Sequence, residues 1–281
     1  MKIVSTINEV REQVKEWKKE GNTIGFVPTM SYLHEGHASL IDAARKNNGK
    51  VVVSIFVNPI QFGPNEDLDS YPRDLEHDAK LCEEHGVDLI FHPTPDEMYG
   101  DNFYTFVDMD VLTKELCGLS RPVHFRGVCT VVSKLFNIVT PDNAYFGQKD
   151  AQQLAIIKRM VKDLNMPLSI HGCPIIREED GLAKSSRNTY LSKDERKAAL
   201  ILSKAVKLGE DMAKAGEKDT DKIVSEMIKL IETEPMAKID YVQAVDAVSV
   251  KPVKEMTAPV LVAMAVYIGK TRLIDNFIYE G

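Results

Sequence analysis

The sequence predicts an α/β fold, a parallel sheet carrying crossover helices, followed by a smaller α+β domain, and three observations carry that prediction. Apolar runs of strand length recur at 24–27, 51–57 (VVVSIFV), 87–91 (VDLIF), 143–146 (NAYF) and 168–171, with helix-period segments between them. Such alternation belongs to parallel strands covered on both faces by helices. From about residue 176 the pattern changes to helices and then three strand-like segments, IDYVQAVDAVSV, PVLVAMAVYIG and TRLIDNFIYE, which describes a separate α+β domain. Finally, the polar segments HEGH, NPIQFG and GQKD each follow an apolar run. Ligands of open parallel sheets bind beyond the carboxyl ends of the strands, so these loops are expected to converge on one crevice. The expected division is 1–176 for the parallel-sheet domain and 177–281 for the C-terminal domain, with the Ser-rich loop as the hinge.

The elements follow in order. The opening MKIVSTINEVREQVKEWKKE breaks its apolar residues with charges, so it lacks the apolar stretch of a signal peptide, and no run approaches membrane-spanning length. Ile24, Phe26 and Val27 make the first strand, and Ser39, Leu40, Ile41, Ala43 and Ala44 begin a helical period, which puts HEGH where a strand feeds a helix N-terminus. RPVHFRGVCTVVSKLF reads as an amphipathic helix, and AQQLAIIKRMVKDL as the helix after NAYF. Beyond the polar loop REEDGLAKSSRNTYLS, Ser192 opens a long charged helix with Glu195 as its capping-box partner. A charged stretch around 214–222 separates it from another helix near 221–232.

Composition narrows the partners. Hydrophobic content of 44% and charged content of 27% over 281 residues fit a globular chain with a real core. The formal net charge of -7 argues against a nucleic-acid-coating surface, while small anionic substrates stay open if cations gather in one cleft. Cys82, Cys117, Cys129 and Cys173 are scattered without CxxC spacing, which favours reduced, buried thiols in a cytosolic protein over a disulfide frame or a zinc site. The expectation is a cytoplasmic protein without nucleic-acid or membrane partners.

Four segments carry chemistry. At HEGH, helix-start N–H groups attract anions, Gly36 lets a phosphate approach the backbone, and His34 and His37, three apart, share one face of the first turn. Imidazoles titrate near neutrality, so each can donate a hydrogen bond or a proton to a departing phosphate. In FGQKD, Lys149 meets phosphate as a point charge and Asp150 caps the following helix or bonds a ribose; Gln153 lies one turn further on the same face. Lys184, Ser185, Ser186 and Arg187 put two cations and two hydroxyls into four residues, a loop able to close over a triphosphate. Asn58 and Gln61 of NPIQFG offer neutral amides suited to hydroxyl and carboxylate groups, although Asn-Pro alone is simply a turn signal. Arg121, His124 and Arg126 are more often surface charges than ligands. The acidic residues Glu66, Asp67, Asp69 and Asp74 read as a solvated loop ahead of a metal-assisting one.

Taken together, PTMSYLHEGH, FVNPIQFG, RPVHFRGVCTVV, YFGQKDAQQ and GLAKSSRNTYLS, in this order and spacing, resemble the pantoate-β-alanine ligase family over most of the chain. The resemblance implies a Rossmann-like nucleotidylyltransferase domain, a C-terminal lid domain, Mg²⁺, a homodimer, and condensation of pantoate with β-alanine at the expense of ATP. It implies an ATP-phosphate run of Met30, Ser31, Tyr32, Leu33, His34, Glu35, Gly36 and His37, with His37 the candidate proton donor and His34 and Lys149 sharing the catalytic charge. Gly147, Gln148, Lys149, Asp150 and Ile176 correspond to nucleotide contacts, and Lys184, Ser185, Ser186 and Arg187 to the loop on the phosphates. Gln61 and Gln153 correspond to the pantoate-holding glutamines, Gln61 also reaching β-alanine, with Asn58 beside them and Arg121 and His124 near the amine. No metal ligands are assigned.

Four positions, in three motifs, depart from the family's usual pattern. Ser31 and Tyr32 replace Gly-Ala of MGALHEGH, so Ser31 must adopt whatever backbone geometry the glycine allowed and Tyr32 can narrow the entrance. Gln148 replaces the glutamate of GEKD, and Lys184 replaces the methionine of GLAMSSRN, adding a cation beside the triphosphate. Two other readings of HxGH remain: a nucleotidyltransferase acting on a phosphorylated acceptor, and a silent nucleotide-binding protein. The paired glutamines favour a small hydroxy acid over the first, and the intact polar groups oppose the second.

Overall fold

The structure is a computed structural model that describes residues 1–64 and 66–281. It divides into two compact units: Met1–Met109, Val123–Gln148 and Ile156–Pro174 form the first, and Asp110–Pro122, Lys149–Ala155 and Ile175–Gly281 the second. The units are therefore interleaved along the chain, whereas the sequence reading draws a single cut after residue 176. Hydrogen bonds explain the membership of the two short segments. Gln152 donates to the carbonyls of Leu112 (2.9 Å) and Glu115 (2.8 Å), Gln243 donates to the Glu115 carboxylate at 2.8 Å, and Asn276 donates to the Lys149 carbonyl at 2.9 Å.

In the first unit the chain runs β1 (Lys2–Val4), α1 (Ile7–Lys19), β2 (Ile24–Thr29), α2 (Glu35–Asn47), β3 (Lys50–Ile55), α3 (Leu75–Glu84), β4 (Leu89–Phe91) and α4 (Pro95–Met98). After α5 (Cys117–Ser120), which lies in the second unit, come α6 (His124–Val139), β5 (Asn143–Gly147), α7 (Ala151–Asp163), whose residues through Ala155 belong to the second unit, and β6 (Ser169–Cys173). The six strands are parallel, in the order β1-β4-β3-β2-β5-β6. Their bounds match the expected runs to within a few residues. β1 was not expected, because only Val4 of its three residues is buried and so short an edge strand leaves no pattern.

The central strands are apolar throughout because both faces are covered: Val51, Val52, Val53 and Ile55 of β3 are buried, with Phe26 opposite Val52 and Val27 opposite Val53. Leu40, Ile41 and Ala44 of α2 pack in one cluster with Val27, Val53, Ile90 and Tyr145, each fully buried Ile or Leu contributing about 1.5–3 kcal/mol. Thr6 and Glu9 form a capping box that starts α1, which buries Val10, Val14 and Trp17.

The second unit contains α8 (Lys193–Ala198), α9 (Leu200–Lys214), α10 (Thr220–Ile231) and an antiparallel sheet in the order β7 (Ala237–Asp246), β8 (Val260–Ile268), β9 (Thr271–Tyr279). The capping box expected at Ser192 and Glu195 is present. β8, the central strand, is buried nearly throughout, and Val262, Met264 and Val266 share a core with Leu202 and Val206 of α9 and Ile223 and Met227 of α10. The strand expected to reach residue 250 stops at Asp246, whose carboxylate accepts hydrogen bonds from Val248 N, Ser249 N and Ser249 Oγ and so turns the backbone out of the ladder.

Candidate active site

β2 lies between β3 and β5, and the sheet order reverses there: the chain moves outward through β3 and β4 and then returns to the other side of β2. This is the switch point at which open α/β sheets bind ligands. The carboxyl end of β2 delivers Met30–His37 to it, and that of β5 delivers Gly147 and Gln148. A Cβ built on Gly147 meets nothing within 4 Å, so a ligand can approach its backbone closely.

At the start of α2 the two histidines cap the helix reciprocally. His34 is the N-cap, its side chain accepting from Gly36 N at 3.1 Å, while His37 Nδ1 accepts from His34 N at 3.2 Å. The ring centroids lie 4.2 Å apart. Because each Nδ1 is an acceptor, each ring, when neutral, carries its proton on Nε2. The sequence reading puts open backbone N–H groups here, and five N–H groups of this segment have partners within the fold. Those of His34 and Gly36 go to imidazole nitrogens, that of His37 to the His34 carbonyl at 2.7 Å, and those of Tyr32 and Leu33 to Asp78.

Ser31 and Tyr32 both have positive φ, 153° and 54°. Neither is a glycine, and such conformations cost about 1–3 kcal/mol each unless their surroundings hold them. Asp78 of α3, with no solvent exposure, accepts from Ser31 Oγ (3.0 Å), Tyr32 N (2.9 Å) and Leu33 N (2.6 Å). His77 donates from Nε2 to the Leu33 carbonyl at 2.9 Å, and the Tyr32 ring stacks on His77 with centroids 5.8 Å apart. Burial pushes the Asp78 carboxyl above its usual range, outweighing the three hydrogen bonds that pull it down.

The NPIQFG turn is built against α6. Asn58 is buried; its amide donates to Gln61 Oε1 (3.0 Å) and to the Gly127 carbonyl (3.2 Å), and its Oδ1 accepts from the Tyr99 hydroxyl. Burial raises the Tyr99 pKa, which keeps that hydroxyl a donor. Gln61 is thereby oriented with its oxygen toward Asn58 and its Nε2 toward the Met30 sulfur at 3.0 Å. His124, the first residue of α6, donates from Nδ1 to the Gln61 carbonyl at 3.1 Å. Met30, Asn58, Gln61 and His124 are thus brought together within the first unit. Arg121, at the end of α5, belongs to the second.

The second unit holds the remaining expected residues. Lys149 Nζ stands 3.7 Å from Asp150 Oδ2, and Gln153 lies half-buried on α7. Ile176 and Lys184 face each other across a hairpin, Lys184 N donating to the Ile176 carbonyl at 2.9 Å. Arg177 clamps the hairpin to β9 by a bidentate pair with Asp275, at 2.7 and 2.9 Å. Asp275 is buried, so breaking the pair costs about 3–5 kcal/mol. Lys184 Nζ pairs with Glu178 at 2.9 Å, so its charge enters the loop already matched by a carboxylate. Ser185 caps the short helix Ser186–Tyr190, accepting from Arg187 N at 3.3 Å. Asp78, Tyr99 and the Arg177–Asp275 clamp escaped the sequence reading because none carries a motif, and Gly127 escaped it because its motif, RPVHFRGVCTVV, draws the eye to the charged residues. Two strained non-glycines beside HEGH were the one available hint of a restraint.

The parallel sheet with its reversal at β2, the capping histidines and the turn after β5 place the chain in the nucleotidylyltransferase-like α/β class. Residues 2–278 match the family model for pantoate-beta-alanine ligase. A pantothenate synthetase of Ruminiclostridium cellulolyticum is 65% identical over 277 residues, covering 99% of this chain and 98% of its own. One of Enterococcus faecalis is 62% identical over 280 residues, covering 100% and 99%. The crystal structure of pantothenate synthetase from Thermus thermophilus matches with a TM-score of 0.95 at 43% identity, covering both chains fully. A pantoate-β-alanine ligase from Francisella tularensis, complexed with beta-gamma ATP and β-alanine, gives 0.83 at 35% identity, with 99% and 97% covered. The chain belongs to the pantoate-β-alanine ligase family.

Proposed function

We propose that this protein condenses pantoate with β-alanine through a pantoyl adenylate, consuming ATP and releasing AMP and pyrophosphate. Within a chain of this family, the observation that carries the reading is the reciprocal cap of His34 and His37, which sets both imidazoles at the sheet's switch point. A carboxylate is a poor acylating agent, so it must first be activated. The pantoate carboxylate attacks the α-phosphorus of ATP in line, and pyrophosphate departs with its charge met by His34, His37, Lys149 and Arg187, His37 donating a hydrogen bond from Nε2–H. This is catalysis by position and electrostatics, without a protein nucleophile. The β-alanine amine then attacks the acyl carbon and expels AMP.

Gln61 presents an amide donor to pantoate, with Gln153 as its partner, and Asn58 acts chiefly by orienting Gln61. His124 is assigned to the β-alanine amine, with Arg121 assigned to the same substrate's carboxylate. Met30–His37, Gly147–Asp150, Ile176 and Lys184–Arg187 are assigned to ATP. Residues 1–176 are proposed to carry most of the ATP and pantoate contacts, and residues 177–281 to keep water from the mixed anhydride. Among the described residues no three His, Cys, Asp or Glu side chains gather to hold a metal. That fits Mg²⁺ arriving on the triphosphate, where it would neutralise phosphate charge, and not a protein cage. Among the described residues no helix is long and apolar enough to cross a membrane, and all four cysteines are free thiols. Both support a cytoplasmic setting, and we further propose a homodimer, which light scattering at micromolar concentration tests.

The test of the reaction is exchange of labelled pyrophosphate into ATP. Pantoate alone should support it, because adenylation precedes amine attack. Exchange that strictly requires β-alanine would overturn the two-step scheme.

A further inference from the structure

The segment between β2 and α2 poses a mechanical problem. Ser31 and Tyr32 are consecutive non-glycine residues with positive φ, and the residue after Leu33 is the N-cap histidine itself. Nothing in the local sequence favours that path, since a serine and a bulky aromatic both resist it. The restraint comes from α3. All three donors of Ser31–Leu33 named above converge on one carboxylate, that of Asp78, and the neighbouring His77 takes the Leu33 carbonyl. Leu33 is 1% exposed and is gripped at both its N–H and its C=O. α3 is itself anchored: Asp74 caps it through His77 N at 3.0 Å, and Cys82, one turn beyond Asp78, is buried in the cluster that contains Leu33, Leu40 and Ile41. The side chain is thus a rigid bracket between a core helix and the first residues of the histidine turn.

We infer that Asp78 is a positioning residue for adenylation: by holding Ser31, Tyr32 and Leu33 it fixes the reciprocal cap of His34 and His37, and with it the tautomer and direction of their Nε2–H donors. The inference rests on the proposed reaction for its kinetic consequence but not for its structural one. A carboxylate suits the task because its two oxygens accept three hydrogen bonds, whereas an amide of the same shape has a single acceptor oxygen and turns an NH₂ toward N–H donors. The departure at Ser31 and Tyr32 strengthens the case. Ser31 contributes its hydroxyl to the bracket, and Tyr32 adds a ring contact on the same helix.

Asp78→Asn, Ser31→Ala and the double variant Asp78→Asn with Tyr32→Gly test this, with pantoate-dependent pyrophosphate exchange, thermal melting, and ¹⁵N-detected tautomers of His34 and His37 as readouts. In Asp78→Asn the exchange kcat should fall roughly ten- to a hundredfold, the scale of a misplaced catalytic group, while KM for pantoate stays within about twofold. The two imidazoles should lose their uniform Nε2–H form. Ser31→Ala should move both readouts in the same direction but less. Tyr32→Gly, which tolerates positive φ, should restore part of kcat to Asp78→Asn. If Asp78→Asn does not fold, the double variant and Ser31→Ala are read in the same way. Wild-type tautomers and wild-type kcat in a folded Asp78→Asn protein, whatever its melting temperature, would overturn the inference. A wild-type protein without pantoate-dependent exchange would overturn the functional reading instead, and the tautomer measurement would still decide the role of Asp78.

Discussion

Gly127 sits on α6 where that helix meets the turn carrying Asn58 and Gln61. A Cβ added there would lie 2.5 Å from Gln61 Cα, 2.6 Å from the Ile60 carbonyl oxygen and 2.7 Å from Gln61 Cβ. Carbon contacts settle at about 3.5–4.0 Å, so Gly127→Ala requires helix and turn to part by roughly 1 Å. The atoms in the way are mostly backbone and cannot swing aside. Such overpacking costs about 1–3 kcal/mol, against which an alanine in mid-helix regains about 1 kcal/mol over glycine. The net expectation is a loss of up to about 2 kcal/mol, small enough that the variant folds.

The functional effect should exceed the stability effect, because the same displacement stretches Asn58 Nδ2 to Gly127 O (3.2 Å) and His124 Nδ1 to Gln61 O (3.1 Å). Calorimetry should show pantoate affinity reduced about tenfold or more, equivalent to about 1.4 kcal/mol, with ATP affinity nearly unchanged. A Gly127→Ala protein that melts at the wild-type temperature and binds pantoate normally would show that α6 does not set the Gln61 turn, and the reasoning from close approach would fail.

Three further outcomes are expected. Tyr99→Phe removes the hydroxyl that donates to the buried Asn58 Oδ1, a loss of about 1–3 kcal/mol for an acceptor left short, and should raise KM for pantoate and not for ATP; equal effects on both would contradict the relay. Because Glu178 already pairs with Lys184, Lys184→Met should change ATP affinity little at any salt concentration, whereas Glu178→Gln should tighten ATP binding at low salt and lose that gain at high salt. A large loss in Lys184→Met with no effect of Glu178→Gln would mean the lysine meets phosphate directly. Burial pushes the thiols of Cys82 and Cys129 up to about 12 and also raises that of Cys173, so near pH 8 all three stay protonated and resist alkylation in the folded protein. Mass spectrometry finding rapid modification at any of them would contradict that burial.

What could be read from the sequence was local. The parallel strands showed because an apolar run is written in consecutive residues, and the Ser192–Glu195 box because both partners lie within one turn. The histidines three apart were legible for the same reason. Asp78 was not: in LEHDAKLCEE it is one acid among several, and only the fold distinguishes the one with no exposure from its solvated neighbours. Likewise, the assignment of residues 149–155 to the second unit depends on Asn276 and Gln152 reaching across more than a hundred and about forty residues respectively. Separations of that kind leave no periodicity to find.

The histidine pair also explains why this turn uses imidazole and not the usual serine or aspartate. A hydroxyl or carboxylate cap satisfies the helix N–H but offers a poor donor or a negative charge to a phosphate. An imidazole caps with Nδ1 and still donates from Nε2, so structure and chemistry are served by opposite edges of one ring. The two roles are separable at His37, which occupies the position where glutamine completes an ordinary capping box. His37→Gln should keep the cap, melting close to wild type, whereas His37→Ala should lose about 0.5–2 kcal/mol of helix stability. Both should lower pyrophosphate exchange by about 10²-fold or more if the departing pyrophosphate needs a titratable donor. If His37→Gln instead exchanges at the wild-type rate, an N–H donor in that place suffices, and His37 stabilises charge without transferring a proton.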